Sequence, residues 1–321
     1  MEICDVNRFY GHSHIIKSYC NLPEHEPIPM AIQHGADRSY QQLLHEIFEE
    51  PLFDYWVYSA RVKKNANRKF GVSLSNLHIL GAPFAYLCRI LNHQLSPVEA
   101  RKGTIAFPDH STPGKEIIGQ YEDYANELSR LPNEFHPITV SVHPHDIQLN
   151  KHLTFLNHGF AVVTAGNSSP LQINFLHNFY HFCKDKRYAT SNALNATPPT
   201  YVMYLGIPFF LTGRPSTYNT TSEKEAKYVT EEDHLHLEQF YNRFTFKALG
   251  DPDIQKEQLK YAYDDLGHDY LLQPKELLDY IIRIRNKQPY IDKILPIFQA
   301  LSKQFEGALR PSGPMQPISI K

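Results

Sequence analysis

Four short clusters in this chain of 321 residues combine imidazoles, hydroxyls and amides at spacings that suit proton transfer and phosphate binding. In Gln33-His34-Gly35 an imidazole that titrates near neutrality stands beside a glycine that lets the backbone turn sharply. His34 can there take a proton from a hydroxyl, and Asp37 is close enough in sequence to orient it. Asp109-His110-Ser111-Thr112 brings an imidazole and two hydroxyls ahead of Pro113-Gly114-Lys115, where Ser111 or Thr112 can cap a helix. In His143-Pro144-His145-Asp146 the two histidines alternate on a strand end, a spacing open to zinc or iron, to packing, or to a phosphate or nucleotide held by His143. Ser191 and Asn192 precede Thr197-Pro198, which reads as an N-cap and first-turn proline. A helix starting there points backbone N–H groups and a partial positive charge at an anion.

These residues matter only if the elements carry them to one place. The pattern predicts strands at residues 29–33, 55–58 and 77–80, with helices at 40–49 and 60–70, before the polar segment 92–103 with Pro97 and Gly103. It then predicts strands at 104–107, 138–142, 160–164, 188–191 and 207–211, helices at 114–131 and 171–183, and a helix from Thr197 that Gly206 stops. Strand alternating with helix implies parallel sheets with helices on their faces. Segment 92–103 divides the chain into residues 1–95 and a doubly wound unit within 96–321. In the second unit the clusters at 109–112, 143–146, 166–169 (Gly166-Asn167-Ser168-Ser169) and 191–192 each follow a strand, so these four gather at one sheet edge. Beyond Arg214 a polar stretch leads to helices near 231–246, 257–263 and 275–305, packed on the second unit and crossing back to the first. The terminal RPSGPMQPISIK is expected to be loose.

Composition narrows the chemistry. With 42% hydrophobic and 21% charged residues the chain can bury a large core. The start lacks a secretory pattern, no apolar run reaches the roughly 18 residues of a span, and four scattered cysteines suit reduced thiols, so a cytoplasmic protein is expected. A net charge of −2 without a basic run argues against nucleic acid as partner. The 18 histidines and 20 tyrosines suit hydroxyl-rich and phosphorylated ligands. The P-loop, G-x-G-x-x-G and G-x-S-x-G motifs are all missing.

The histidine–glycine turn and the phosphate-friendly strand–helix turns resemble the GT-B group of nucleotide-sugar-dependent glycosyltransferases, in particular enzymes of bacterial surface-polysaccharide biosynthesis. Thr190 to Pro208 resembles their donor-phosphate segment, His143-Pro144 the His-Pro motif of sialyltransferases, and His34-Gly35 the turn of CDP-glycerol phosphotransferases, whose histidine acts as base. The resemblance spans residues 28–213. It implies an α/β protein with two Rossmann-like domains facing a cleft: an acceptor-side domain at 1–95, and a nucleotide-sugar domain with extra C-terminal helices at 96–321. His34 and Asp37 would be catalytic. His110, Ser111, Thr112, His143, Ser191, Asn192 and Thr197 would bind donor and phosphate. No metal or other cofactor is required, since the helix end can stabilise the leaving group. The partners would be a nucleotide-sugar donor and a glycan or lipid-linked glycan acceptor, and peripheral membrane association is compatible with this. A non-hydrolysing nucleotide-sugar epimerase and a non-catalytic nucleotide- or glycan-binding protein are the alternatives.

Overall fold

The computed structural model describes residues 2–36, 54–112, 115–117, 120–166, 172–193, 196–214, 216, 218–220, 243–287 and 318–320. A 3-10 stretch, Asp5–Gly11, runs into α1 (His12–Cys20). Three strands then pair in parallel in the order β1-β2-β3: β1 (Met30–Ile32), β2 (Asp54–Val57) and β3 (Leu77–Ile79). Helix α2 (Ala60–Phe70) follows β2, and α3 (Pro83–Ile90) follows β3. The Ser59 side chain accepts the Val62 N–H and starts α2; Gly71, at φ 66°, ends it. Side chains alternate across the strands as pleating requires. Ala31, Tyr55 and Val57 meet Val62 and Ala66 of α2, while Met30, Ile32 and Trp56 join α1 and α3 on the other face.

The second half carries β4 (Thr104–Phe107), β5 (Lys115–Ile117), α4 (Tyr121–Ser129), β6 (Ile138–Ser141), α5 (Pro144–Gln148), α6 (His152–Asn157), β7 (Ala161–Thr164), α7 (Phe175–Cys183), β8 (Tyr188–Ser191), α8 (Thr197–Tyr204), β9 (Phe209–Leu211) and β10 (Tyr218–Thr220). After these come α9 (Pro252–Leu266), α10 (Pro274–Asn286) and β11 (Ile318–Ile320). The larger sheet has the order β11-β7-β6-β4-β8-β9, parallel except for β11. From β4 the chain winds outward through β6 and β7, then returns to the other side of β4 for β8 and β9. That reversal leaves a crevice beyond the carboxyl ends of β4 and β8, where open α/β sheets bind ligands. Helices cover both faces. Ile105 and Phe107 join a core with α7 and α8, while Ala106 meets Tyr124 and Leu128 of α4 and Phe155 of α6.

One apolar core runs through both halves. Phe84 of α3 stacks on Tyr201 of α8, with centroids 4.2 Å apart at 21°, and meets Phe179 of α7 edge-on at 5.8 Å. The C-terminal helices strengthen the join. Helix α9 packs along α8, and the Leu266 carbonyl at its end accepts the Ala82 N–H at 2.9 Å. Arg61 pairs with Asp265, His78 Nδ1 meets the Tyr280 hydroxyl at 2.7 Å, and Arg285 bonds Glu26 at 2.8 Å.

The expected strands are all present within a residue or two, and α2 has its expected bounds. Four differences are informative. The expected helix 114–131 is instead β5 followed by α4, because residues 115–117 pair antiparallel with β10. Helices α1, α3, α5 and α6 were not anticipated, and the expected helix at 171 begins at Phe175. Ile318–Ile320 is not loose but pairs with β7. The expected boundary at residue 95 falls in the loop between α3 and β4, and α9 extends well beyond 257–263. Helix 40–49 and most of 231–246 lie outside the described residues.

Gly267 is the tightest point of the join. Its φ is 65°, and a Cβ there would lie 1.8 Å from the Tyr58 carbonyl oxygen. Left-handed strain alone costs about 1–3 kcal/mol for other residues, and here backbone must also move. Gly267→Ala is therefore expected to lower unfolding free energy by more than about 2 kcal/mol. Urea denaturation checks this, and a loss below 0.5 kcal/mol (on the order of a neutral surface change) contradicts the packing described.

Candidate functional site

Because β4, β6, β7 and β8 run the same way, the segments that follow them open on one edge of the sheet. Contacts draw three of these segments together. The Asp109 N–H donates to Asn192 Oδ1 at 2.8 Å, tying the loop after β4 to that after β8. The exposed His110 ring stacks on half-buried His143 after β6, 4.7 Å apart at 22°. Asn192 Nδ2 reaches the Arg214 carbonyl and Ser216 Oγ, which adds the segment after β9. A hollow of about 160 Å³ lies at this reversal point, lined by Asp109, Tyr121, Asn192 and Ser216 among others. That is below the ~300 Å³ of ordinary ligand sites, so a nucleotide requires the loops to part. A wider open hollow, about 770 Å³, lies among α3, α8 and α9; its Tyr204, His268 and His93 bond one another or nearby groups.

A buried polar brace holds the first loop. The Ser111 N–H donates to both Asp146 oxygens, at 3.3 and 3.2 Å, and Ser111 Oγ accepts from the Ile117 N–H at 3.1 Å and Lys151 Nζ at 3.3 Å. Lys151 also bonds the Ile117 carbonyl and Glu116. Burial, then the Asp146 carboxylate, pushes the Tyr121 hydroxyl up. Ser111 is thus no helix cap, because the helix expected after it is a strand. Thr112 is half-buried in the same loop.

His143 caps α5: its Nδ1 accepts the His145 N–H at 3.2 Å. The two histidines therefore do not alternate on a strand, since Pro144 already begins the helix. Among the described residues no three His, Cys, Asp or Glu side chains are placed to hold a metal ion. Burial, with His110 adjacent, lowers the His143 pKa to about 4, opposed by Asp146.

After β8, Ser191 is wholly buried; its Oγ donates to the Phe107 carbonyl at 2.7 Å and accepts the Ala193 N–H at 2.9 Å. Ser191 and Asn192 shape the loops with the hydrogen bonds that they make. Thr197 corrects the sequence reading: the N-cap is Ala196, without a side-chain cap, and Thr197 is the first helical residue. Pro198 and Pro199 lack N–H groups, so of the first four positions only Thr197 and Thr200 keep a donor. This helix end therefore offers an anion fewer donors than the sequence led one to expect.

The first half meets this edge through its own strand end. His34, just past β1, is half-buried, with Nε2 3.1 Å from the Tyr10 hydroxyl and its ring edge-on to Tyr10 at 4.8 Å. Tyr10 lies 4.8 Å from Phe175, which opens α7. Gly11, at φ 80°, sits so close to the loop before α7 that a Cβ would come 2.0 Å from the Ile173 carbonyl. Asp37 and residues 167–171 fall outside the described residues. Tyr10 was not anticipated, and a left-handed Tyr10-Gly11 pair has no sequence signal beyond the glycine.

No known family matches the chain, and no curated protein does. Solved structures do resemble it. The wall teichoic acid polymerase TagF is 12% identical over 77% of this chain and 62% of its own, with TM-score 0.37. The S. aureus MnaA–UDP co-structure is 10% identical over 80% and 68%, with TM-score 0.44. The pneumococcal O-GlcNAc transferase GtfA in complex with UDP and GlcNAc is 11% identical over 80% and 47%, with TM-score 0.35. This chain spans about three-fifths of the TagF chain, 58% and 62% in two structures of it. At these scores the likeness adds nothing about what the chain binds, and the functional reading stands on its residues.

The depressed His143 pKa has a consequence in acid. From pH 6.5, the group's ordinary value, down to about 4, the unfolded chain binds a proton that the folded chain refuses. The stability from neutral His143 is therefore complete above pH 6.5 and lost as pH falls through that window. His143→Gln should flatten the fall in unfolding free energy between pH 7 and 4.5, measured by urea titration at each pH. Parallel curves for variant and parent contradict the assignment.

Proposed function

We propose that the chain transfers a sugar from a nucleotide-activated donor to a hydroxyl of a surface glycan or lipid-linked glycan. The observation that carries this reading is the meeting of His34, at the end of β1, with the carboxyl edge of the larger sheet through Tyr10–Phe175 and Gly11–Ile173. A candidate base thereby stands beside the edge on which His110, His143 and the start of α8 gather.

The acceptor hydroxyl gives its proton to His34 as its oxygen bonds the anomeric carbon of the sugar. The bond from that carbon to the donor phosphate breaks, and its electron pair leaves with the nucleotide. Negative charge grows on the leaving phosphate, so donors aimed there favour the transition state over the ground state. His110, His143 and Thr197 supply them, with the N–H groups of Thr197 and Thr200 and the positive end of α8. Ser111, Ser191 and Asn192 keep the loops in register, Thr112 lies in the same loop, and Asp37 orients the base. The loops after β4 and β8 part to admit the nucleotide. No described helix is long and apolar enough to cross a membrane, so a lipid-linked acceptor would be met at the bilayer surface.

The test is a panel of nucleotide sugars with glycan acceptors, following release of UDP, GDP or CMP. At 100 times its Kd the correct nucleotide adds about 2.7 kcal/mol of stability, visible as a raised Tm. No shift and no release with any nucleotide at millimolar concentration overturns the reading; a changed sugar without acceptor or nucleotide release replaces it with epimerisation. His34→Ala should lower turnover by about 10² to 10⁴ and leave nucleotide affinity nearly unchanged. Undiminished turnover moves the base elsewhere.

A further inference from the structure

The opposite, amino edge of the larger sheet holds a cation without a counter-charge. Arg101 follows a 3-10 turn, Val98–Ala100, and leads into β4. It is only 7% exposed, and among the described residues its Nε and Nη1 atoms are buried with no hydrogen-bond partner. A buried ion is ordinarily paired and hydrogen-bonded, because the water it gives up must be replaced. What stands beside Arg101 is a second cation. The Lys102 N–H donates to the Asp185 carbonyl at 3.1 Å, and the Gly103 carbonyl accepts from the Arg187 and Tyr188 N–H groups at 3.0 and 3.2 Å, so the segment before β4 and the turn before β8 run together. Arg187 lies over the Tyr188 ring, its guanidinium carbon 5.3 Å from the centroid.

The chain's own carboxylates do not neutralise this pair. Glu99 and Asp185, the nearest in sequence, are both exposed, and Asp185 accepts instead from Ser96 Oγ at 3.3 Å. Among the described residues neither Arg101 nor Arg187 forms an ion pair. Lys186 adds a third, half-buried cation, its Nζ 2.7 Å from Thr139 Oγ1. Burial first, then Arg187, pushes the Arg101 pKa down, against the pull of Glu99 and Tyr188. A guanidinium keeps its proton all the same, so an anion, not deprotonation, is what relieves the cost.

We propose that this edge is a binding site for a phosphate monoester or pyrophosphate group, gripped by Arg101 and Arg187. A guanidinium holds two oxygens along either of two edges, Nη2 with Nε or Nη2 with Nη1. Nη2 is not among the buried orphan nitrogens of Arg101, so an oxyanion that arrives there meets one of the orphan donors with its second oxygen. Two guanidinium charges match a dianion at one centre better than the single charge of a carboxylate. Strand β4 is four residues long, which sets this site about 13 Å from the carboxyl edge. It is therefore separate from the donor site and does not rest on the transferase reading.

The test is calorimetric titration of the full chain with inorganic pyrophosphate, beside Tm measurements without ligand. The wild type should bind, and Arg101→Met and Arg187→Met should each raise Kd about tenfold to a hundredfold, as the loss of a charged hydrogen bond does. Without ligand, Arg101→Met should melt no lower than the wild type, because it removes an unpaired buried charge. Half-buried Arg187 can be replaced without opening the interior, so its variant reads affinity alone. Phosphatidylcholine vesicles with and without phosphatidic acid separate the sources of the group: sedimentation that needs phosphatidic acid and Arg101 assigns it to a lipid headgroup, and pyrophosphate binding without sedimentation assigns it to a soluble phosphate. Binding of neither probe, or wild-type affinity in both variants, overturns the proposal. So does a ligand-free Arg101→Met that melts well below the wild type, the sign of a guanidinium that serves the fold alone.

Discussion

A missing side chain decides where the two halves meet. At Gly11 the backbone passes so close to the Ile173 carbonyl that no Cβ fits, and the left-handed φ there suits glycine alone. Everything proposed for the site follows from this approach. It presses Tyr10 against Phe175, and Tyr10 in turn holds His34 at the edge of a sheet to which it does not belong. A second close approach, Gly267 against Tyr58, fixes the other side of the join, so two glycines far apart in sequence set how the strand ends face one another.

The larger sheet then keeps its edge in shape with polar groups that are themselves inaccessible. Ser191, Asn192, Ser111 and Asp146 are buried, and their hydrogen bonds run between loops. Such bonds add about 1 kcal/mol each when made and cost more when one partner is lost. They preorganise the more accessible imidazoles, so that His110 and His143 stand already stacked at this edge. Residue types that read as ligands in a sequence can thus serve as scaffold in the fold. The distinction between Ser191 and His110 is one of burial, which spacing does not encode.

Much of the fold was legible because local pattern and tertiary role agree. Thr104–Phe107 is a short apolar run that is buried throughout, and Ala60–Phe70 begins at a serine cap and ends at a glycine. Helix α3 escaped because residues 83–88 are buried without a break, leaving no polar face to give a stripe. Helix α1 escaped because Gly11 provides no side-chain cap. The helix expected at 114–131 had the right stripe from Tyr121 to Leu128, but its first turn is claimed by pairing with residues 218–220, a contact about a hundred residues away. At the site, the gathering of strand ends was legible from parallel topology. The shortage of N–H donors at the start of α8 went unread, although the two adjacent prolines spell it out once each is counted as a lost donor. The Tyr10–His34 contact was not legible, since only the folded chain brings residues 10 and 34 together.

The pairing of Ile318–Ile320 with β7 has a consequence for self-association. A parallel sheet ends in two rows of unpaired amides, which invite another strand to add. Here residues 318–320 run antiparallel along β7, and at the opposite margin Leu211 of β9 bridges to Thr245. Both flanks of the larger sheet are thereby occupied by the chain's own later segments. Losing residues 318–320 would uncover Val162 to Thr164 as a template for strand addition, favouring edge-to-edge association while the loops at the carboxyl edge stay as they are.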